Sequence, residues 1–145
     1  MIRRITFYMT AAILVSVVLA FIGNYSESRR VAHELSSKGA TIGWYGWEPV
    51  IVECHGKIDV HFVTLIHELP AIRHVDLSKS DVTDDICFML SNGRKFVSID
   101  LDGTNVSEKG VRAFIHHAPS VVVKAPSHLG LCGEIGKHGK VTCNE

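Results

Sequence analysis

The sequence predicts an α/β chain: a short solenoid of stacked strand–helix coils, with parallel strands and one helix per repeat, preceded by a single apolar helix. Two observations carry this. Val75-Asp76-Leu77 recurs 24 residues later as Ile99-Asp100-Leu101 and, more loosely, as Val123-Lys124-Ala125, while Ile58, Val82 and Val106 fall on the same period. A unit repeated at such an interval cannot bury its apolar face alone, so successive copies must stack. The other observation lies at the start, where no charged residue occurs between Arg4 and Glu27.

From Ile5 to Ile22 the chain is apolar except for Thr6, Tyr8, Thr10 and Ser16. The 22 uncharged residues between Arg4 and Glu27 would rise roughly 33 Å as a helix, enough for a hydrocarbon core. Residues 1–25 are therefore expected to form a transmembrane signal anchor. Arg3 and Arg4 before it favour a cytoplasmic N-terminus and an exported remainder, periplasmic or extracellular, although Arg29 and Arg30 on the other side weaken that orientation. A cleaved signal peptide is the alternative, with Val18-Leu19-Ala20 as an acceptable cut site, but the apolar run continues past it.

Residues 26–47 read as a connecting helix and an aromatic N-terminal cap. Val31 and Leu35 share a helical face within Ser26 to Lys38, and Gly39 stands where a left-handed helix stop belongs. Trp44, Tyr45 and Trp47 then cluster, either as a cover for the end of the repeat core or as an interfacial or ligand-stacking patch.

Residues 48–126 hold the repeats. Apolar residues at 72, 75, 77 and 82 reappear at 96, 99, 101 and 106. The short alternation is that of a strand, with Val75 and Leu77 inward and Asp76 outward. The second half of each unit is helical in spacing: Ile86, Cys87, Met89 and Leu90, then Val111, Ala113, Phe114 and Ile115. Thr83 and Ser107 precede acidic residues as helix N-caps do. In the first unit Glu53 falls where the others have leucine, which points to a shifted strand using Val50 and Val52. In the last, a one-residue slip is expected, and a slip exchanges the two faces of a strand, so no outward residues are assigned there.

Phe96 to Val106, with apolar residues at the first, fourth, sixth and eleventh positions and a small polar residue at the ninth, resembles the leucine-rich repeats. Val106-Ser107-Glu108-Lys109-Gly110-Val111 is similar to the helical half of short bacterial members. The resemblance implies an interaction module that binds protein or peptide on its outward strand face.

Residues 127–145 form a Gly- and Cys-containing tail. Cys132 and Cys143 bracket a glycine-rich stretch that can reverse direction, and in an oxidising compartment they are candidates for a disulfide worth about 2 to 3 kcal/mol. His128, Cys132, His138 and Cys143 could instead supply zinc ligands, but the usual metal-site spacings are missing. Cys87 takes a helical position filled by valine in neighbouring units and reads as a buried hydrophobe; Cys54 has no evident role.

The formal net charge of +0 leaves no basic face for nucleic acid. Setting Arg3 and Arg4 aside leaves the remainder slightly acidic. Nine histidines are scattered and form no HExxH arrangement, no serine or cysteine lies in a nucleophile motif, and no phosphate loop is present. No catalytic residue, metal site or cofactor is expected.

What remains is the outward face: His74, Asp76 and Ser78 on one strand, Ser98, Asp100 and Asp102 on the next, with equivalent positions about 4.8 Å apart. Asp76 beside Asp100 makes an acidic strip, either a solvated surface that discourages edge association or a recognition surface for a basic partner or a cation. The sequence thus predicts a membrane-anchored, non-catalytic interaction module that binds protein or peptide. A secreted or periplasmic metal-binding or redox protein using the tail cysteines and histidines is the alternative.

Overall fold

In the computed structural model, residues 2–93, 96–131, 133–135 and 139–142 are described, with side chains for residue 9, 12–93 and 96–131. Gly39, at φ +90°, ends the first helix, α1 (Ile2–Ser37). The chain then turns back on itself through a hairpin of β1 (Thr41–Tyr45) and β2 (Glu48–Glu53), with Gly46 at φ +61° in the bend. Both glycines occupy a left-handed conformation that side chains with a Cβ resist.

Three strand–helix units follow: α2 (Val60–Glu68), β3 (His74–Asp76), α3 (Asp84–Ser91), β4 (Ser98–Asp100), α4 (Glu108–His117) and β5 (Val122–Lys124). A 3-10 turn (Ser127–Leu129), β6 (Gly133–Ile135) and β7 (Gly139–Thr142) complete the chain. Asp59 caps α2 by accepting from the Phe62 N–H at 2.7 Å, and Ser107 caps α4 by accepting from the Gly110 N–H at 3.2 Å. Thr83 occupies the corresponding position before α3, but its side chain makes no capping bond.

The strands form one seven-stranded sheet in the order β1-β2-β3-β4-β5-β7-β6. From β2 through β5 to β7 neighbours are parallel, while β1/β2 and β6/β7 are antiparallel. The sheet is therefore mixed, and the expected all-parallel leucine-rich-repeat solenoid is corrected to a small α/β fold with four α-helices. The physical reason is that hairpins at both ends reverse the chain, where a solenoid would have wound on in one sense.

The 24-residue spacing survives as strand register: His74 lies beside Ser98 and Ser98 beside Val122, so the expected slip in the last unit does not occur. Between β2 and β3 the offset is one residue shorter, with Ile51 beside His74. That shift turns Val52 inward, fully buried, and leaves Glu53 exposed beside Asp76. Val52, Val75, Ile99 and Val123 line the inner face and are covered by Phe62 and Ile66 of α2, Leu90 of α3 and Phe114 of α4. Burying each such side chain contributes about 1.5 to 3 kcal/mol.

Polar side chains join consecutive units. The Asp81 carboxylate accepts from Ile58 N–H at 2.7 Å, and Asp84 accepts from both the Ser107 N–H at 2.7 Å and the Ser107 hydroxyl at 2.6 Å. Buried Ser80 and Thr104 donate to the carbonyls of Leu77 and Leu101, closing the turn after each strand.

The expected membrane anchor over residues 5–22 is also corrected: among the described residues no helix is long and apolar enough to cross a membrane. The single-pass topology, with a cytoplasmic N-terminus and an exported repeat domain, loses its basis with it. The helix that carries the apolar stretch does not end with it. It continues without a break into Glu27, Arg29, Arg30 and Glu34, and the same helix buries Ser28, Val31, Ala32 and Leu35 in the domain.

Candidate functional site

On the sheet face opposite the core, β2 to β5 line an open groove of about 300 Å³. Alternation along each strand puts Ile51, His74, Ser98 and Val122 in one row across it. Glu53, Asp76, Asp100 and Lys124 make the next row. Parallel neighbours sit about 4.8 Å apart, so the second row places three carboxylates and an ammonium side by side.

Each central carboxylate is anchored to its own chain. Asp76 Oδ1 accepts from Ser78 N–H, and Asp100 Oδ1 from Asp102 N–H, both at 2.9 Å. These Asx turns fix the side chains where the strands end, and they use only one oxygen of each carboxylate. Lys124 Nζ takes the other oxygen of Asp100 at 2.8 Å. No ammonium or guanidinium pairs with Asp76 among the described residues. The hydrogen bond to Asp100 holds the Lys124 ammonium above its usual range, with the charges of Asp100, Asp102 and Asp76 adding to it against the opposing effect of burial.

In the row above, His74 Nδ1 lies 2.8 Å from Ser98 Oγ. A hydroxyl beside an imidazole is half of a nucleophilic arrangement. Acyl chemistry would also need donors for a developing oxyanion, and the groove that holds the pair is lined by the carboxylates of Asp76 and Asp100 as well as by Lys124. The contact links neighbouring strands β3 and β4.

Of the residues expected on the outward face, His74, Asp76, Ser98 and Asp100 meet in the groove. Ser78 and Asp102 lie beyond the strand ends. Ser78 offers its carbonyl to His55 Nδ1 at 2.7 Å, and Asp102 accepts from Ser127 N–H at 3.0 Å, anchoring the 3-10 turn. The bonds from Ser127 hold the Asp102 carboxyl below the usual range. Sequence reasoning missed Ile51, Glu53, Val122 and Lys124. The signal for Lys124 was present, since it stands one period after Asp100.

Cys54 and Cys87 are buried free thiols. Burial first, and the Asp84 charge second, push the Cys87 thiol up to about 12. Cys132 and Cys143, and with them the expected disulfide and most of the zinc alternative, lie outside the described residues. Among those described, no group of three or more His, Cys, Asp or Glu is placed to hold a metal ion.

No protein-family model, curated protein or solved structure matches the chain. The leucine-rich-repeat resemblance has no family match behind it, and the mixed sheet argues against it, so the short-bacterial-repeat assignment is corrected along with the fold.

Proposed function

We propose that this protein is a non-catalytic binding module that takes a protein or peptide bearing basic side chains across the groove of β2 to β5. The observation that supports this most directly is the uneven charge of the second row: Lys124 pairs with Asp100, while Asp76, with Glu53 beside it, forms no ion pair among the described residues. Like charges in adjacent positions of a sheet are destabilising unless something offsets them. An incoming lysine or arginine would relieve that repulsion. A structural duty competes with this reading, because Asp76 and Asp100 both fasten the turns after their strands.

The two roles separate in Asp76→Asn with Asp100→Asn, which keeps the Oδ1 acceptors and removes the charge. The full chain is titrated with tetralysine and tetraarginine peptides at low salt, against a tetraglycine control. Saturable binding that weakens by about tenfold or more in the double variant, with the melting temperature held, supports the proposal, since the loss of a single charge-assisted contact of about 1.5 kcal/mol already gives that factor. Equal binding by both proteins refutes it.

A further inference from the structure

We propose that the groove between α1 and β1 is an oxyanion site for a phosphate- or carboxylate-bearing ligand, anchored by Arg29. This site is separate from the strand-face groove. Its lining consists of Arg29, Ala32, His33, Ser36, Ile42 and Trp44, and borders an open groove of about 340 Å³ without a single carboxylate. The Arg29 guanidinium carbon lies 5.1 Å from the centre of the Tyr25 ring and 5.2 Å from that of Trp44. Ring contacts of this kind hold the guanidinium by its faces and leave its in-plane N–H donors for a ligand.

The adjacent arginine shows the contrast. Arg30 spends its donors on Glu27 and Glu34 and reaches Glu68 at 3.6 Å. No carboxylate pairs with Arg29 among the described residues. His33 and Ser36 follow it four and seven positions later on α1, the spacing that stacks side chains on one helix face. They extend the donor row from the fixed guanidinium along the groove. The opposite wall is β1, an edge strand, which turns alternate backbone groups away from its only partner, β2. A planar fork, a ring nitrogen and a hydroxyl without a competing carboxylate suit two or three oxygens of one anionic group.

The test is an NMR titration of the full chain with inorganic phosphate and with acetate, against chloride at matched ionic strength, reading the Arg29 Nε–H and Trp44 indole N–H resonances. Saturable shifts with either oxyanion, absent with chloride, are expected, and the tighter of the two identifies the ligand class. Arg29→Gln should abolish saturation. Arg29→Lys keeps the charge but loses the fork and the ring contacts, and should weaken binding by about tenfold. It also serves as the folded comparison if the glutamine variant proves unstable. Arg112→Gln, which removes an exposed arginine paired with Glu108, should change nothing. Shifts that match chloride, or that persist in Arg29→Gln, overturn the proposal.

Discussion

Lys124 Nζ lies 2.8 Å from Asp100 Oδ2, one strand away and 24 residues along the chain. This contact converts a sequence period into an ion pair, and it divides the outer row of the sheet into a neutralised end and an acidic end. Replacing Lys124 with Met leaves the apolar stem and removes the charge. The partly exposed setting, 27% and 23% for the two side chains, limits the loss of stability to about 1 kcal/mol. Binding of tetralysine should strengthen, because one further carboxylate oxygen, Asp100 Oδ2, comes free; unchanged affinity would show that Asp100 takes no part in recognition. The ammonium is held above its ordinary value, so the stability it contributes is complete below about pH 10 and is lost as pH climbs through the folded-state value. An alkaline melting series on both proteins measures that difference.

Gly110 sits in the first turn of α4 beneath Asp84. A Cβ there would stand 2.3 Å from Asp84 Oδ1, the oxygen that accepts from Ser107 N–H. Gly110→Ala should gain about 1 kcal/mol in helix propensity yet displace a carboxylate holding two hydrogen bonds, at about 1 to 3 kcal/mol. The expected net effect is destabilisation. In an Asp84→Ala background most of the cost should vanish, and chemical denaturation of the four proteins in the cycle decides it; additive effects would refute the coupling.

Asp102 and Asp59 are both held below the usual carboxylate range, first by backbone N–H donors, of Ser127 and Phe62 respectively. A depressed folded-state value means that their contribution is present above the unfolded value of about 3.9 and disappears as pH falls through the folded one. The melting temperature should therefore drop on acidification below about pH 4. Asp102→Asn keeps an acceptor for Ser127 and should flatten that acid limb; an unchanged slope would assign it to other carboxylates.

Burial and the nearby Asp84 charge, which hold the Cys87 thiol up at about 12, leave almost no thiolate at pH 8. Neither Cys54 nor Cys87, exposed by 2% and 0%, should react with iodoacetamide in the folded protein, and both should react after unfolding. Peptide mapping of the labelled chain checks this. Fast labelling of Cys87 under native conditions would mean that α3 opens readily from the sheet.

Lys79 and Gly103 occupy equivalent turns one period apart, both left-handed at φ 58° and 69°. Only the second is a glycine, so Gly103→Ala should cost about 1 to 2 kcal/mol, whereas Lys79→Gly should be neutral or mildly stabilising. Thermal melts of the two variants test the pair, and equal losses would refute it.

The sequence made the central strands legible because their inward and outward positions alternate within a fixed period, and Val75, Leu77, Ile99 and Leu101 are all buried. His74, Asp76, Ser98 and Asp100 follow from the same alternation. Period alone could not reveal how the sheet ends, since β1/β2 pairing depends on a glycine turn and on contacts between residues such as Thr41 and Glu53. Glu53 looked like a flaw in the first unit because the offset there is one residue shorter. The uncharged start was misread for a related reason: the helical spacing of Val31 and Leu35 is legible, but by itself it reads as a separate connecting helix and not as the continuation of the first. Arg29 seemed only a charge that confused orientation, and its ring contact emerges where the hairpin brings Trp44 against it.

Helix α1 runs unbroken for 36 residues, roughly 54 Å at its ordinary rise. Its later turns are seated in the core through Val31 and Leu35, while Ile13, Leu14, Val18 and Phe21 stand mostly in the open. Without a loop between these halves, the first is a handle and not a tether. The direction in which its exposed apolar turns leave the domain is therefore set by the seat of Val31 and Leu35.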